Sequence, residues 1–358
     1  MSDNNPPVLV TGAAGWLGLG LVRALVRGLP GIFDCPPFSA SPVRGLLGPQ
    51  DSETELAAIA PEMELIRGDV TKQETLELFF KGAEGGVLFH CAGIIHPKRT
   101  KEFFEVNAQG SVNVWEAAAQ AGIKRAVLTS SNSPCGNNPH PDHLFDELSP
   151  YNPYMGYGRS KMVMEKEIRE KSLAGGPETV LIRAPWFYGP FQPPRQTEFF
   201  VMIRDGRGPL VGSGRNRRSM SYIDNLAQGL ILAGKAPQAA GKTYWIADQR
   251  PYAMAEILDT VEKVLEKDFS LKCRHKRLRL PSIASDLAGL ADRGLQGLGF
   301  YHQKIHVLSE MNKTIACSAA LAEKELGYRP QVELEEGMRR SIAWLMDRPS
   351  ERAKLINP

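Results

Sequence analysis

The string Thr11-Gly12-Ala13-Ala14-Gly15-Trp16-Leu17-Gly18 constrains this chain more than any other stretch. It follows the apolar run Val8-Leu9-Val10 and opens a segment in which Leu17, Leu21 and Leu25 recur at helical spacing. A buried strand, a tight turn and a helix from about Trp16 to Arg27 are therefore expected in succession. Gly12 permits the turn, Gly15 lets the backbone approach a pyrophosphate, and Gly18 lets the helix lie close to the sheet. The free N–H groups of the helix N-terminus carry partial positive charge suited to phosphates. Glycines at this spacing are weak evidence alone, but the strand–turn–helix context makes Gly12, Gly15, Trp16, Leu17 and Gly18 candidate dinucleotide contacts.

The pattern continues. Strands are expected at Val43–Leu47, Met63–Arg67, Gly86–Cys91, Arg125–Ser130 and Thr179–Ala184. Helices are expected near Lys72–Phe80, Lys101–Ala121 and Tyr157–Lys171. Strands alternating with helices predict an α/β fold, a doubly wound parallel sheet of Rossmann type. After Pro185 proline and glycine become frequent, and helices return at Asn225–Leu232, Met254–Leu265 and Leu334–Met346. Residues 1–184 are thus read as the dinucleotide-binding domain. Residues 185–358 are read as a smaller, discontinuous substrate lobe, some of whose segments return to the Rossmann domain.

Composition narrows the classes. Apolar residues make up 42% of the 358, enough for a sizeable core. Lys and Arg number 43 against 40 Asp and Glu, so nucleic acid is not an expected partner. The five cysteines are scattered without a C-x-x-C, which predicts neither disulfides nor a metal site and fits a reducing cytoplasm. The polar start Met1-Ser2-Asp3-Asn4-Asn5 is not read as a signal peptide, and no long uncharged apolar run predicts an integral membrane span. A cytoplasmic enzyme with a small-molecule substrate is expected, as a homodimer.

Tyr157 and Lys161 stand at i and i+4, so a helix puts them on one face. A phenol with a pKa of roughly 10 is a poor base at neutrality. A neighbouring ammonium is expected to lower that value and let the pair move a proton to or from a substrate hydroxyl. Thr129-Ser130-Ser131-Asn132-Ser133 lies at the end of the fifth strand, where doubly wound folds bind ligands. Ser131 is the expected third catalytic group, hydrogen-bonding the substrate oxygen, with Ser133 as a further substrate contact. The position at which an acidic residue would select NAD falls at Gly48. Asp51 is a nearby candidate and Arg44 could serve a 2′-phosphate, so NAD and NADP both stay open.

These residues together resemble the extended short-chain dehydrogenase/reductase family, of the NAD-dependent epimerase/dehydratase type. The likeness runs from about Val8 to Trp344. It rests on the glycine loop, Asp69-Val70, His90-Cys91-Ala92-Gly93, Asn107-Ala108-Gln109-Gly110, the serines, Tyr157–Lys161 and Arg183 through Pro190. Tyr222-Ile223-Asp224-Asn225 and Leu326-Gly327-Tyr328-Arg329-Pro330 close the series. The resemblance implies that Asp69 and Val70 contact the adenine, and that Ala92 and Gly93 lie along the cofactor. It implies that Asn107 supports the site, that Lys161 also holds the nicotinamide ribose, and that Pro185 sits near the nicotinamide. Asp69 could instead cap the next helix.

For the substrate the signals divide. Family members that dehydrate sugars carry an Asp-Glu pair beside the catalytic Ser/Thr. Ser131 has Asn132 and Ser133 there, so elimination is not expected. Gly212-Ser213-Gly214 followed by Arg218, four residues before Tyr222, resembles the diphosphate-holding pattern of nucleotide-sugar enzymes, with Arg215 and Arg217 adding to a basic cluster. A nucleotide sugar is the first expectation, with Arg218 and Trp186 as substrate contacts. The bulky Ala184-Pro185-Trp186-Phe187 and the segment Pro281–Phe300 resemble instead the 3β-hydroxysteroid dehydrogenase and ketone-reductase branch, with an apolar substrate. A non-enzymatic cofactor-sensing module is the third alternative. Cys135 is read as a core residue and Lys272–Arg277 as a solvated face, while Ile283–Leu298 is read first as lobe packing, with an oligomer contact or a helix skimming a membrane surface as alternatives.

Overall fold

The structure, a computed structural model, describes residues 5–356. Seven parallel strands make the central sheet: β1 (Val8–Thr11), β2 (Val43–Leu47), β3 (Glu64–Arg67), β4 (Val87–His90), β5 (Arg125–Ser131), β6 (Glu178–Ala184) and β7 (Thr243–Trp245). Their spatial order is 3-2-1-4-5-6-7. Val8 is in register with Val43 on one side and Val87 on the other. The order reverses between β1 and β4, which opens a crevice at the carboxyl ends of those strands.

The period-two alternation of β1 explains the layers. Val8 and Val10 face one side, where they meet α1 (Trp16–Arg27) and α4 (Ile223–Lys235). Leu9 faces the other, where Leu88 and Leu128 join Val114 and Trp115 of α2 (Ser111–Gln120) and Met164 and Ile168 of α3 (Met155–Leu173). Both faces are covered, as an all-parallel sheet requires.

Beyond β6 short strands build a lobe. Trp186–Tyr188 pairs with Met220–Tyr222, Arg217–Arg218 with Tyr252–Ala253, and Pro209–Val211 with Leu278–Leu280. The chain returns to the sheet through α4 and β7. Helices α5 (Ser282–Gly297) and α6 (Gln303–Glu310) lie antiparallel, since Ser285 Oγ donates to Leu308 O while Asp292 bonds His306. The late motif residues are structural. Asp248 accepts from Tyr222 N, Asn225 Nδ2 and Tyr188 OH, and Asp224 pairs with Arg23 of α1.

Several elements depart from the sequence reading. The helix expected over Lys101–Ala121 is one turn of α-helix, a π-helical stretch at Phe104–Gly110, and then α2. The helix near Lys72 is a 3-10 turn, Gln73–Leu76, continued by Glu77–Phe80. The Ile283–Leu298 segment is not plain lobe packing, because its buried face carries Ser285 and Asp292 while Ile283, Leu287, Leu290 and Leu298 face solvent. The basic run at Lys272–Arg277 is not all solvated. Cys273 is buried, and Arg277 pairs with Glu262 and Asp259. Among the described residues no helix is long and apolar enough to cross a membrane.

Candidate active site

The glycine loop sits at the carboxyl end of β1. Gly12 has φ of +64°, and a Cβ there would lie 2.7 Å from Ala92 N and 2.8 Å from Ala92 Cα. A Cβ on Gly18 would lie 2.0 Å from Gly12 O. The loop is therefore pressed between the exit of β4 and its own helix, and only hydrogen fits at these two places. Helix α1 has no side-chain cap, which leaves its N-terminal N–H groups facing the crevice mouth. Trp16 donates from Nε1 to Pro190 O and packs on Phe187, tying the loop to the lobe, while Leu17 is buried in the core.

A chain of buried polar groups fixes the strand ends. Thr11 Oγ1 bonds His90 Nδ1 at 2.7 Å, and His90 Nε2 bonds Ser111 Oγ at 2.8 Å. Burial and the Lys161 charge hold the His90 imidazole neutral, with its pKa pushed down to about 3. Asn107, fully buried in the π-helical stretch, accepts from Ile94 N at 2.8 Å and donates to Ile94 O at 2.9 Å and to Ser160 Oγ at 3.2 Å. It thereby clamps the Ala92-Gly93-Ile94 exit of β4 to α3. A Cβ on Gly93 would stand 3.2 Å from Asn107 Oδ1 and 3.5 Å from Lys161 Nζ, so Gly93, Asn107 and Lys161 share one floor.

Tyr157 and Lys161 lie on the inward face of α3, with Ser131 at the end of β5 hydrogen-bonded to the Tyr157 side chain. Ser131 Oγ lies 3.3 Å from Ser133 Oγ. Lys161 donates to Thr129 O at 3.0 Å and is buried. One expectation is corrected. The Tyr157 phenol is not lowered by Lys161; burial pushes it up to about 12, and the bond to Ser131 opposes this only in part. The ammonium is itself desolvated, its pKa pushed down to about 8, and it is turned toward the β5 backbone.

Beneath the serines lies a buried ion pair that the sequence reading missed. Glu165 receives Arg183 Nε at 3.1 Å and Nη2 at 2.8 Å, Ser130 Oγ at 2.6 Å and Tyr151 OH at 2.8 Å. These bonds hold the carboxyl below its usual range despite burial. They lock β5, β6 and α3 together one residue from Ser131. The i+4 spacing of Lys161 and Glu165 was the available signal.

Helices α5 and α6 wall the site from the other side. Tyr301, between them, packs edge-on to Phe103, which in turn packs on Tyr157. His96 Nδ1 bonds Tyr301 OH at 2.8 Å. His306 is held at 2.7 Å by buried Asp292, which with Glu310 raises its pKa. Gln296 Oε1 accepts from Gly156 N at the start of α3. None of these was foreseen, although Ser285, Asp292 and Gln296 recur at helical spacing within the apolar run.

The remaining candidates are dispersed. Asp69 Oδ1 accepts from Thr71 N and Oγ1 in a local turn, and Val70 is buried, its carbonyl accepting from Asn113 Nδ2. Arg44 is committed to Glu64 and to two backbone carbonyls, so it is no phosphate clamp. Asp51 Oδ2 accepts from Gly48 N at 2.8 Å, which leaves a carboxylate at the end of β2. Pro185 is buried between β6 and the lobe, and Trp186 packs on Phe199. Arg218 donates to Glu310 O, and its buried Nε has no partner among the described residues. The basic cluster does not form. Arg217 points away from Arg218 to Pro141 O, because successive residues of a strand face opposite ways, and Arg215 is exposed in the loop before that strand. Cys135 is a core residue beside Phe145 and Trp245, its thiol pushed up to about 11 by burial.

A doubly wound sheet, a glycine cradle that a Cβ would fill and an uncapped helix define a dinucleotide-dependent enzyme. The chain belongs to the NAD dependent epimerase/dehydratase family, whose model matches residues 8–247. NAD is the cofactor of that family, and the cradle and the Asp51 carboxylate fit it. The uncharacterized protein y4nL of Sinorhizobium fredii (strain NBRC 101917 / NGR234) is 52% identical over 344 residues, covering 95% of each chain. The 3beta-hydroxysteroid-dehydrogenase/decarboxylase isoform 1 of Arabidopsis thaliana is 27% identical over 93% of this chain and 78% of its own. Among solved structures, dTDP-glucose 4,6-dehydratase of Bacillus anthracis in complex with NAD superposes with a TM-score of 0.76 at 17% identity, over 97% of this chain and 98% of that one.

Proposed function

We propose that this chain oxidises or reduces a secondary carbinol carbon of a nucleotide sugar, with epimerisation where the hydride returns to the opposite face. Bound NAD supplies the hydride acceptor and donor. Tyr157 moves the proton of the reacting hydroxyl, and Ser131 hydrogen-bonds the same oxygen and shares the charge that develops on it. Lys161 and Asn107 hold the floor on which the nicotinamide ribose rests. Residues 1–184 carry the cofactor, and the lobe in 185–358 closes over the substrate.

The observation that carries the substrate class is Arg218. The side chain is half-buried, desolvation lowers its pKa, and its buried Nε lacks a partner among the described residues. A buried guanidinium donor left unused is costly unless an anion meets it, and a diphosphate is such an anion. Arg195, which stands over Trp16 and has its pKa lowered by burial, is a second cation near the site, interacting with Tyr301.

The aromatic wall of Phe103 and Tyr301 favours a second reading, a hydrophobic hydroxysteroid or ketone. One assay separates them. Purified protein with NAD or NADH is offered UDP- and GDP-sugars in parallel with hydroxysteroids and aromatic ketones, and NADH absorbance and sugar epimers are followed. Nucleotide-sugar turnover is expected, with Arg218→Gln raising KM by about tenfold or more at little cost in kcat. Turnover confined to the apolar panel replaces the first reading with the second.

A further inference from the structure

Helix α5 is inverted with respect to an ordinary surface helix. At roughly 100° per residue, Ile283, Leu287 and Leu290 fall within about 60° of one another, and Leu298 follows just past the helix end. They are 62%, 58%, 63% and 74% exposed. The opposite face is polar and buried, with Ser285 bonded to α6, Asp292 bonded to His306, and Gln296 bonded to Gly156 N. A single exposed leucine needs no explanation, but an aligned stripe does. Leu278 and Phe300, at either end, are also exposed.

We propose that this stripe docks the protein on an anionic membrane surface. Charge selects that occupant. Residues 272–304 hold seven Lys and Arg against two Asp, a formal +5 in a chain whose total is +3. Lys272, Arg274, Lys276, Arg279, Arg293 and Lys304 are exposed. Of the seven cations only Arg277 has carboxylate partners among the described residues. The two aspartates offset little, since Asp292 is bonded to His306 and Asp286 to Lys313. An exposed apolar helix face within a basic stretch of chain, five of whose seven cations lie in residues 272–279 just before the helix, suits a helix lying in the plane of a lipid interface. Each cation near an anionic surface adds roughly fivefold to partitioning. A second copy of the chain fits less well, because a two-fold contact would set this positive segment against itself.

The geometry gives the docking a direction. The buried side of α5 touches the start of α3, and Tyr301 just beyond it packs through Phe103 toward Tyr157. The membrane-facing helix is thus the outer wall of the active site. The proposal is independent of the substrate reading, since sedimentation does not depend on turnover.

The test is co-sedimentation of the full chain with vesicles of phosphatidylglycerol and phosphatidylcholine, and with vesicles of phosphatidylcholine alone. Partitioning at least about tenfold stronger onto the anionic vesicles is expected, falling as salt rises. Leu287→Glu with Leu290→Glu removes it, while NAD binding and the unfolding temperature show that the variant is folded. Arg279→Gln with Arg293→Gln weakens it and flattens the salt dependence. Wild-type protein left in the supernatant with anionic vesicles overturns the proposal. So does a folded double-glutamate variant that still sediments, or a dimer by light scattering that the same variant dissolves.

Discussion

Lys161→Met tests the electrostatics of the site floor, because it should stabilise the fold while abolishing turnover. Lys161 is only 4% exposed, and burial takes its pKa from 10.5 to about 8. That fall corresponds to about 3 kcal/mol of bias against the charged form in the folded state. Thr129 O loses a donor in the variant, which returns about 1 kcal/mol. A net gain of about 2 kcal/mol is expected at neutral pH, or a rise in Tm of roughly 2–3 °C for a chain of this length. The pH dependence has a fixed sign. Between about 8 and 10.5 the unfolded chain binds the proton and the folded one does not, so wild-type stability rises with pH across that window. Below it the cost of the buried charge is fully present. The gap between the Lys161→Met variant and wild type should therefore be constant below about pH 8 and close above it. Thermal unfolding of both proteins without cofactor, at one scan rate across this range, reads it directly. A Lys161→Met protein less stable than wild type at neutrality, or a gap that ignores pH, refutes the reasoning.

Tyr157→Phe keeps the ring packing on Phe103 and removes the proposed proton carrier, so turnover should fall by about 10²–10⁴ with NAD affinity unchanged in a binding titration. Glu165→Gln leaves the Arg183 charge buried without its counter-ion, and chemical denaturation should show a loss of about 3–5 kcal/mol; a loss below about 1 kcal/mol would show that the pair is not an anchor. Gly12→Ala must push a methyl into the Ala92 backbone at positive φ, which should weaken NAD binding by about 1–3 kcal/mol in calorimetry.

The sequence announced the sheet because its strands are buried on both faces and read as apolar runs, and because the glycine loop ties the first strand to its helix. The grouping of Ser131, Tyr157 and Lys161 was legible for a related reason. Tyr157 and Lys161 belong to one helix, and Ser131 follows at a strand end, so local periodicity brings them to one side. What escaped the reading is long-range. Glu165 and Arg183 meet across 18 residues, His96 and Tyr301 across 205, and no local pattern encodes such pairs. The lowered phenol was a wrong expectation for a different reason. Spacing locates Lys161 on the same face, but it cannot weigh desolvation of the ring or the pull of Thr129 O. Lobe packing was the default for helix α5 because apolar residues at helical spacing imply a buried stripe, and here Ser285 and Asp292 are the ones inside.

The π-helical stretch at Phe104–Gly110 couples two requirements through one piece of backbone. On its upstream side the chain must deliver Asn107 to Ile94 and Ser160. On its downstream side it must deliver Val112, Val114 and Trp115 to the sheet. The wide turn reconciles the two by holding more residues per turn than an α-helix does. Removing one residue would rotate everything beyond it by roughly 100°. Either the clamp or the core would then face the wrong way. Side chains along this segment can change one at a time, but its length is locked, like the tooth count of a gear that drives two wheels.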